Sequence, residues 1–232
     1  MSKRASKAKE PPTWDRRPWP LKGDTDLNVI YASIGRALSQ WERYEGVLSL
    51  LFSELVAGQE SEGARRAYSA VRTFEGRAEM LRAASEAWFA DAPDAELLEA
   101  FKDVLRNALS FSQRRNDIAH GVVDYFQDPQ RAFISFQEAA TFALYPSYAS
   151  FRERSLENRP TYCFTSVEID YYFEQFYNLQ NPVIDLTTLL INQRSRVTFQ
   201  KRYYLHAPSS ANLKAAQNSD ISTSPPPPSS QE

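Results

Sequence analysis

Apolar side chains return every three or four positions along four long segments of this chain, and that period predicts helices that each bury one face. The first segment follows the cap-like sequence DTD at residues 24–26. Its apolar stripe consists of Ile30, Ile34, Leu38, Trp41, Leu48, Phe52 and Leu55. Position 45 belongs to the same stripe, so the carboxylate of Glu45 is expected to face the core. The second segment runs from about residue 61 to residue 90.

The third and fourth segments carry signals for where their helices begin and end. The third opens after the sequence DAPDAE, and its face continues in phase to Arg115, which is therefore expected to point toward the core. Gly121 suits the left-handed residue that ends many helices. The fourth begins at Thr165 and Glu168, which have the spacing of a capping box. Pro182 lies inside this segment without changing its phase, so we expect a kink there rather than a stop.

Residues 122–164 interrupt the helical pattern. The short runs VVDYF, RAFISF and TYCF have the composition of strands, and turn-prone sequences separate them. A connection of this length between helices is usually functional or disordered, and we interpret this one as a small flap over one end of the helices. The sequence thus predicts an all-α fold of four helices with a β-rich insertion between the third and the fourth.

Both ends of the chain have compositions that resist packing. The first 22 residues contain four prolines and carry seven Lys or Arg side chains against two carboxylates, so residues 1–23 are predicted to form a disordered basic arm. Residues 207–232 are rich in Ser and Pro and are predicted to form a disordered tail. The stretch between them, residues 24–206, is long enough for a single helical domain with a substantial core.

Charge, cysteine content and hydropathy exclude several classes of protein. The chain of 232 residues has a net charge of −2, which excludes a generally basic nucleic-acid binder, so any anion site has to be local. The single cysteine, Cys163, forbids an intrachain disulfide, and two histidines leave no zinc spacing, so we expect no metal and no cofactor. There is neither a signal-peptide core nor an apolar run near the roughly 20 residues of a membrane helix. We therefore expect a cytoplasmic protein with no membrane partner.

The sequence SQRRNDIAHG, at the end of the third helix, concentrates the candidate functional residues. Asn116 and His120 are four residues apart and share a helix face, whereas Arg115 and His120 lie about 140° apart around the axis. One straight helix therefore cannot aim Arg115 and His120 at the same point. They converge only if the helix unwinds at Gly121, or if a second copy of the chain brings its own motif alongside.

A purely structural interpretation accounts for these residues. His120 in a last turn benefits from the negative end of the helix dipole. Arg115 on an apolar stripe pairs with Glu45, because a buried charge without a partner is very costly. Arg72 and Arg77 on the second helix are rival partners for that carboxylate.

A chemical interpretation also accounts for them. The C-terminal end of a helix repels phosphate, so an anion site there requires nearby cations, which Arg114 and Arg115 would supply to a substrate. The same helix end favours a protonated imidazole, which suits His120 as a proton donor. Asn116, on the face of the histidine, would orient either the ring or the substrate.

RRNDIAHG resembles the Arg-x(4–6)-His motif of HEPN domains. Four residues separate Arg115 from His120, and Asn116 matches the polar residue that commonly follows the motif arginine. The motif lies near the end of a long third helix with two amphipathic helices before it and one after it. The resemblance covers about residues 24–196 and implies an antiparallel four-helix HEPN-like bundle, from which the insertion at 122–164 departs.

The resemblance also implies a chemistry and a set of partners. Many HEPN proteins are metal-independent ribonucleases of toxin–antitoxin pairs, antiviral defence or RNA processing, and their dimers place two motifs face to face. Carried over, His120 would be the acid/base group, Arg115 would stabilise charge in the transition state, and Asn116 would position the substrate. The implied partners are RNA, a second copy of the chain and an antitoxin protein.

Two functions therefore stay open at this stage. One is a toxin-type endoribonuclease of stress or antiviral defence that uses the 2′-hydroxyl of the RNA as nucleophile. The other is a non-catalytic helical interaction module, in which Arg115 and His120 hold the end of the bundle and the dimer seam together. A third, nucleotide binding without turnover, lacks a glycine-rich phosphate loop.

Overall fold

The computed structural model describes residues 12–58, 61–126, 140–147 and 160–204, with side chains as far as Arg194. In chain order the elements are α1 (Leu27–Ala57), α2 (Glu62–Ala70), α3 (Phe74–Asp91), α4 (Ala95–Ala119), β1 (Gly121–Tyr125), β2 (Phe142–Pro146), α5 (Ser166–Asn178) and α6 (Gln180–Tyr204). The described residues are mainly helical, and the two strands form one small antiparallel sheet between α4 and α5. The predicted mainly helical class is therefore confirmed.

The chain divides into two units, Met1–Ile191 and Asn192–Glu232. The first unit contains every element up to α5 and the first part of α6, whereas the described part of the second unit is the remainder of α6. The predicted tail at 207–232 lies outside the described residues. No helix in the described ranges is both long enough and apolar enough to cross a membrane.

α1 begins and ends at strong helix signals. The Asp26 carboxylate accepts the N–H of Asn28 at 2.8 Å and so satisfies one of the donors that a helix start leaves free. The helix ends at Gly58, whose φ of 69° is a left-handed conformation that glycine adopts without strain. The predicted start of the first helix is confirmed.

The core of the first unit is built around α1, which packs against α2, α3, α4 and α5. Trp41 lies at its centre and is fully buried. Its indole ring meets the rings of Tyr44, Phe74 and Phe176 edge-on, which is a favourable arrangement for aromatic side chains. Trp41 thereby joins α1 to the start of α3 and to α5.

The second predicted helix is in fact two helices, so the prediction of one helix over residues 61–90 is wrong. The chain is extended at Val71 and Thr73, and the Thr73 hydroxyl accepts the N–H of Gly76 at 3.1 Å as the N-cap of α3. Both α2 and α3 pack on α1, so apolar residues keep their period across the break. Periodicity therefore concealed the break that the capping residue Thr73 signals.

The fourth predicted helix starts as expected and is then divided. The N–H of Thr165 donates to Glu168 at 2.8 Å, which confirms the capping box at the start of α5. The division into α5 and α6 falls at Leu179 rather than at the predicted kink site, Pro182. Pro182 stands in the first turn of α6, where a missing N–H leaves no helical bond unmade.

The sheet confirms only part of the predicted β-rich insertion. β1 falls on the predicted run VVDYF and pairs with β2, so that Val123 lies opposite Leu144. β2 was not predicted, and its last three residues fall in a stretch that the sequence predicts to separate the strands. The predicted strand TYCF contributes one bridge, between Phe164 and Leu144. The predicted strand RAFISF lies outside the described residues.

Residues 12–20, which we call the strap, pack on α4 and α5. The ring of Trp14 meets Phe111 of α4 edge-on, with 6.3 Å between centroids. The hydroxyl of Tyr172 in α5 donates to the carbonyl oxygen of Asp15 at 2.9 Å and accepts the N–H of Arg17 at 3.1 Å. The strap is thus held by its main chain as well as by its side chains.

These contacts correct the prediction of a disordered arm over residues 1–23 for the part of it that the strap occupies. The prolines and charges of the segment favour disorder, whereas Trp14 supplies a ring that packs on Phe111 and anchors the segment. Residues 1–11 lie outside the described residues.

Candidate functional site at the end of α4

The last two turns of α4 contain the predicted motif, but its side chains face in different directions. Arg114 is buried, Arg115 is half-buried, and Asn116 and His120 are exposed. The expectation that Arg115 faces the core is therefore wrong, because Arg114 occupies the inward position. After Ala108 either of two sets of positions could face inward, one that includes Arg115 and one that includes Arg114. The structure buries the set with Arg114, which also contains the larger apolar residues Phe111 and Ile118.

The Asp117 carboxylate, in the middle of the motif, pairs with two arginines. Arg114 Nε lies 3.1 Å from Asp117 Oδ2. From the strap, Arg16 donates Nε to Oδ2 at 3.0 Å and Nη2 to Oδ1 at 2.9 Å. The hydroxyl of Tyr162 donates to the main-chain oxygen of Asp117 at 2.8 Å. These contacts hold the final turn of α4 and bury Arg114, the residue predicted to bind substrate, against Asp117.

Arg115 and Asn116 are brought together beside α1. Arg115 Nη1 donates to Asn116 Oδ1 at 3.3 Å, and Arg115 Nη2 lies 3.4 Å from Glu42 Oε1. The Glu42 side chain is 63% exposed. Solvent-exposed pairs of this kind contribute about 0–1 kcal/mol, so Arg115 is held weakly and can exchange its carboxylate partner for another anion.

His120 caps α4 and leads directly into β1. Its N–H donates to the Asn116 carbonyl oxygen at 3.0 Å, while its imidazole is exposed and makes no hydrogen bond with the described residues. Among those residues, Gly58 is the glycine with positive φ, so the expectation of a left-handed Gly121 is wrong. Glycine is required at 121 for a different reason, since a Cβ there would lie 2.7 Å from the Leu144 side chain.

No hydrogen bond joins the side chains of Arg115 and His120 among the described residues. The chain enters β1 without the unwinding that would let one copy of the motif aim both groups at a single point. Asn116 is the link between them, because its side chain contacts Arg115 and its carbonyl oxygen holds the main chain of His120.

Glu45 faces the core as predicted, but its partner is different. It forms a buried ion pair with Arg77 of α3 and accepts a hydrogen bond from Trp41 Nε1 at 2.5 Å. Arg77 also donates Nε to the carbonyl oxygen of Val71 at 2.8 Å. The expected pairing of Glu45 with Arg115 is therefore wrong, and the rival partner Arg77 takes its place. Glu45 stabilises the helix packing away from the end of α4.

Arg17 of the strap is a cation that sequence analysis did not single out. Its guanidinium carbon lies 4.6 Å from the ring centroid of Tyr171, and the residue is exposed. Its side chain forms no ion pair with the described residues. The signal in the sequence is the pair Arg16 and Arg17, which stands between Trp14 and Trp19 within the predicted disordered arm.

The described residues contain no group of three or more His, Cys, Asp or Glu side chains that could hold a metal ion. Comparison of the chain with models of protein families, with curated proteins and with solved structures found no match. The end of α4 offers a solvent-facing imidazole, an amide and a weakly held guanidinium, which are groups that transfer protons and bind anions.

Proposed function

We propose that this protein is a HEPN-like, metal-independent endoribonuclease with an antiparallel four-helix bundle fold. It cleaves RNA in the cytoplasm as a toxin-type protein of stress or antiviral defence. The RNA's own 2′-hydroxyl attacks the adjacent phosphorus and expels the 5′-oxygen, leaving a 2′,3′-cyclic phosphate. His120 serves the proton transfers, Arg115 stabilises the charge on the phosphoryl oxygens, and Asn116 positions the substrate.

The observation that carries this proposal is the exposure of His120 and Asn116 at the same end of α4 as the half-buried Arg115. A histidine that served only to cap the helix would gain from the helix dipole without needing an adjacent arginine and amide. Arg115 is restrained by a solvent-exposed carboxylate, so exchanging Glu42 for a phosphodiester costs little free energy.

The angular separation of Arg115 and His120 supports a dimeric site. Within the described part of one chain no hydrogen bond joins the two side chains, and helix geometry separates them by about 140° around the axis. A second motif in reach would let one phosphodiester contact both groups. We therefore propose that two copies of the chain place their α4 ends against each other, so that the guanidinium of one copy and the imidazole of the other share a cleft. An antitoxin protein that covers this cleft would silence the enzyme.

A second candidate function is a non-catalytic dimerisation module of the same fold. It is favoured by exposed apolar side chains that directly follow the motif, since Val122 and Tyr125 of β1 are each 51% exposed. Apolar groups of this size are common at the centre of protein interfaces. In that case Arg115 and His120 would lie at the rim of the interface and perform no chemistry.

RNA cleavage by the full chain in excess EDTA tests the proposal. We expect chelator-resistant cleavage that leaves 2′,3′-cyclic phosphate ends, and a fall of about 100-fold or more in rate for His120→Ala, as for the loss of an acid/base group. Arg115→Gln should also lower the rate of cleavage, because it removes the charge that stabilises the transition state. Arg106→Gln is its matched control, because Arg106 is an exposed arginine of α4 that pairs with Asp103. The control should cleave at the parent rate.

Equal cleavage by the parent and His120→Ala would exclude the proposed role of His120. A dimeric protein that shows no cleavage under any of these conditions would favour the dimerisation module. Sedimentation equilibrium of the same samples measures the oligomeric state, so both results come from one preparation.

A further inference from the structure

The proposed site requires more positive charge than the arginines of the motif supply. Phosphate at the C-terminal end of α4 is repelled by the helix dipole, so positive charge has to offset it. Arg114 is buried against Asp117, and Arg115 is engaged by Glu42. Asp117 is itself shared with Arg16. Of the motif arginines only the weakly held Arg115 can turn to a phosphate, so a second cationic side chain has to come from another element.

Arg17 is placed to meet that need. Its neighbour Arg16 contacts Asp117, which lies three residues before His120 on α4 and therefore within one turn of it. The strap runs along α4 toward its C-terminal end, from Trp14 beside Phe111 to Arg16 beside Asp117, and Arg17 is the next residue, about 3.8 Å further along the chain. The N–H of Arg17 donates to the Tyr172 hydroxyl at 3.1 Å, which fixes its main chain on α5.

The contact with Tyr171 leaves the N–H donors of Arg17 available for a phosphate. A guanidinium that stacks on an aromatic ring uses its flat face, whereas its N–H donors point outward from the edge. Those edge donors match two oxygens of a phosphodiester. Since Arg17 is exposed and makes no ion pair with the described residues, its donors are open to solvent.

We infer that Arg17, held on Tyr171 by the strap, binds the phosphodiester backbone of a single-stranded RNA that runs from the α4 end across α5. The inference rests on the proposed function for its choice of ligand. Arg17 is a binding residue for the strand that flanks the cleavage site, and it takes no part in the proton transfers. The strap is thereby a part of the substrate-binding surface.

Binding without turnover separates this inference from the proposed chemistry. The full chain carrying His120→Ala is titrated into a fluorescently labelled single-stranded RNA, and the dissociation constant is measured by anisotropy at several salt concentrations. Arg17→Gln in that background should weaken binding several-fold. It should also reduce the slope of log K against log salt by about 0.7, as for the loss of one phosphate contact to a single strand.

Two further variants sharpen the test. Arg106→Gln removes the same charge from an exposed arginine on α4 and should leave both the affinity and the slope unchanged. Arg17→Lys keeps the charge but not the flat guanidinium, so it should keep the slope and lose part of the affinity. The thermal unfolding temperature of each variant should stay near that of the parent, which shows that binding and not folding has changed.

Each outcome decides the inference by itself. If Arg17→Gln and Arg106→Gln bind RNA alike, or if the His120→Ala parent binds no RNA, the inference is overturned. If the wild-type chain does not cleave RNA but binds it through Arg17, the inference stands and the proposed ribonuclease fails. If it cleaves RNA and Arg17→Gln has no effect on binding, the inference alone fails.

Discussion

Two neighbouring buried residues of α1, Tyr44 and Glu45, are partnered differently. Glu45 has an ion pair with Arg77 and a hydrogen bond from Trp41. The Tyr44 hydroxyl has no hydrogen-bond partner among the described residues. An unpaired hydroxyl costs about 1–3 kcal/mol when buried, whereas removing one partner of a buried ion pair costs about 3–5 kcal/mol. The fold therefore tolerates the lone hydroxyl and pairs the carboxylate.

This contrast predicts opposite results for two Tyr→Phe substitutions at residues that are both fully buried. Tyr44→Phe removes an unpartnered hydroxyl, so the free energy of unfolding at pH 7 should stay equal or rise slightly. Tyr172→Phe removes a hydroxyl that bonds Asp15 and Arg17, and should cost about 1 kcal/mol. Urea denaturation of both variants measures the difference, and equal losses would contradict it.

The same residues make stability depend on alkaline pH. Burial raises the pKa of the Tyr172 hydroxyl from its usual value of about 10 to about 12, and burial raises the pKa of Tyr44 as well. Between these two values the unfolded chain loses a proton that the folded chain keeps, so stability is complete below pH 10 and falls as the pH rises through this window. Each Phe variant should therefore lose stability less steeply above pH 10 than the parent.

At the scale of elements, the junction between α4 and β1 decides where His120 lies. α4 passes into the strand with no loop, and β2 approaches so closely that Leu144 fills the space beside Gly121. The position of the exposed imidazole is therefore set by the packing of β2 as well as by α4.

Gly121→Ala should lower the free energy of unfolding by about 1–3 kcal/mol, because the new Cβ would lie 2.7 Å from Leu144 and 3.0 Å from the Asp117 carbonyl oxygen. The loss should be smaller in a Leu144→Ala background, where space has been made. Gly35→Ala is the matched control, since nothing lies within 4 Å of a Cβ there and alanine favours the helix by up to about 1 kcal/mol. Additive effects at positions 121 and 144 would contradict the close contact.

At the scale of the whole molecule, the strap connects the beginning of the chain to the proposed site. Arg16 and Asp117 are separated by 101 positions in the sequence and form a two-point ion pair. Only 12% of the Asp117 side chain is exposed, so this carboxylate depends on its arginines for compensation. The same segment holds Arg17 on α5.

Arg16→Gln should therefore destabilise the protein by about 2 kcal/mol, in the range of hydrogen bonds to charged groups. In an Asp117→Asn background the loss should shrink, because the charge that needs the arginine is absent. Lys22→Gln is the control, since Lys22 is an exposed cation close to the strap and should change stability by less than about 0.5 kcal/mol. Chemical denaturation of the parent, the two single variants at positions 16 and 117 and the double variant gives the coupling free energy between Arg16 and Asp117. A coupling free energy of zero would show that the pair contributes nothing to stability.

The amino-acid sequence by itself determined the helices that have local signals. The caps at Asp26 and Thr165 and the apolar period locate the start of α1, α4 and the start of α5. It also showed that Glu45 faces the core and that the motif residues lie in the last turns of α4. These features depend on residues close together in the chain, which is why a pattern can predict them.

Tertiary structure alone decided which groups meet. Glu45 pairs with Arg77 rather than Arg115, and Arg114 turns inward because the Asp117 carboxylate compensates its charge there. Partner choice among several arginines depends on packing between distant elements, and periodicity carries no information about it. The strap was missed for the same reason, since its partners are far along the chain: Asp117 lies 101 positions after Arg16, and Tyr172 lies 155 positions after Arg17.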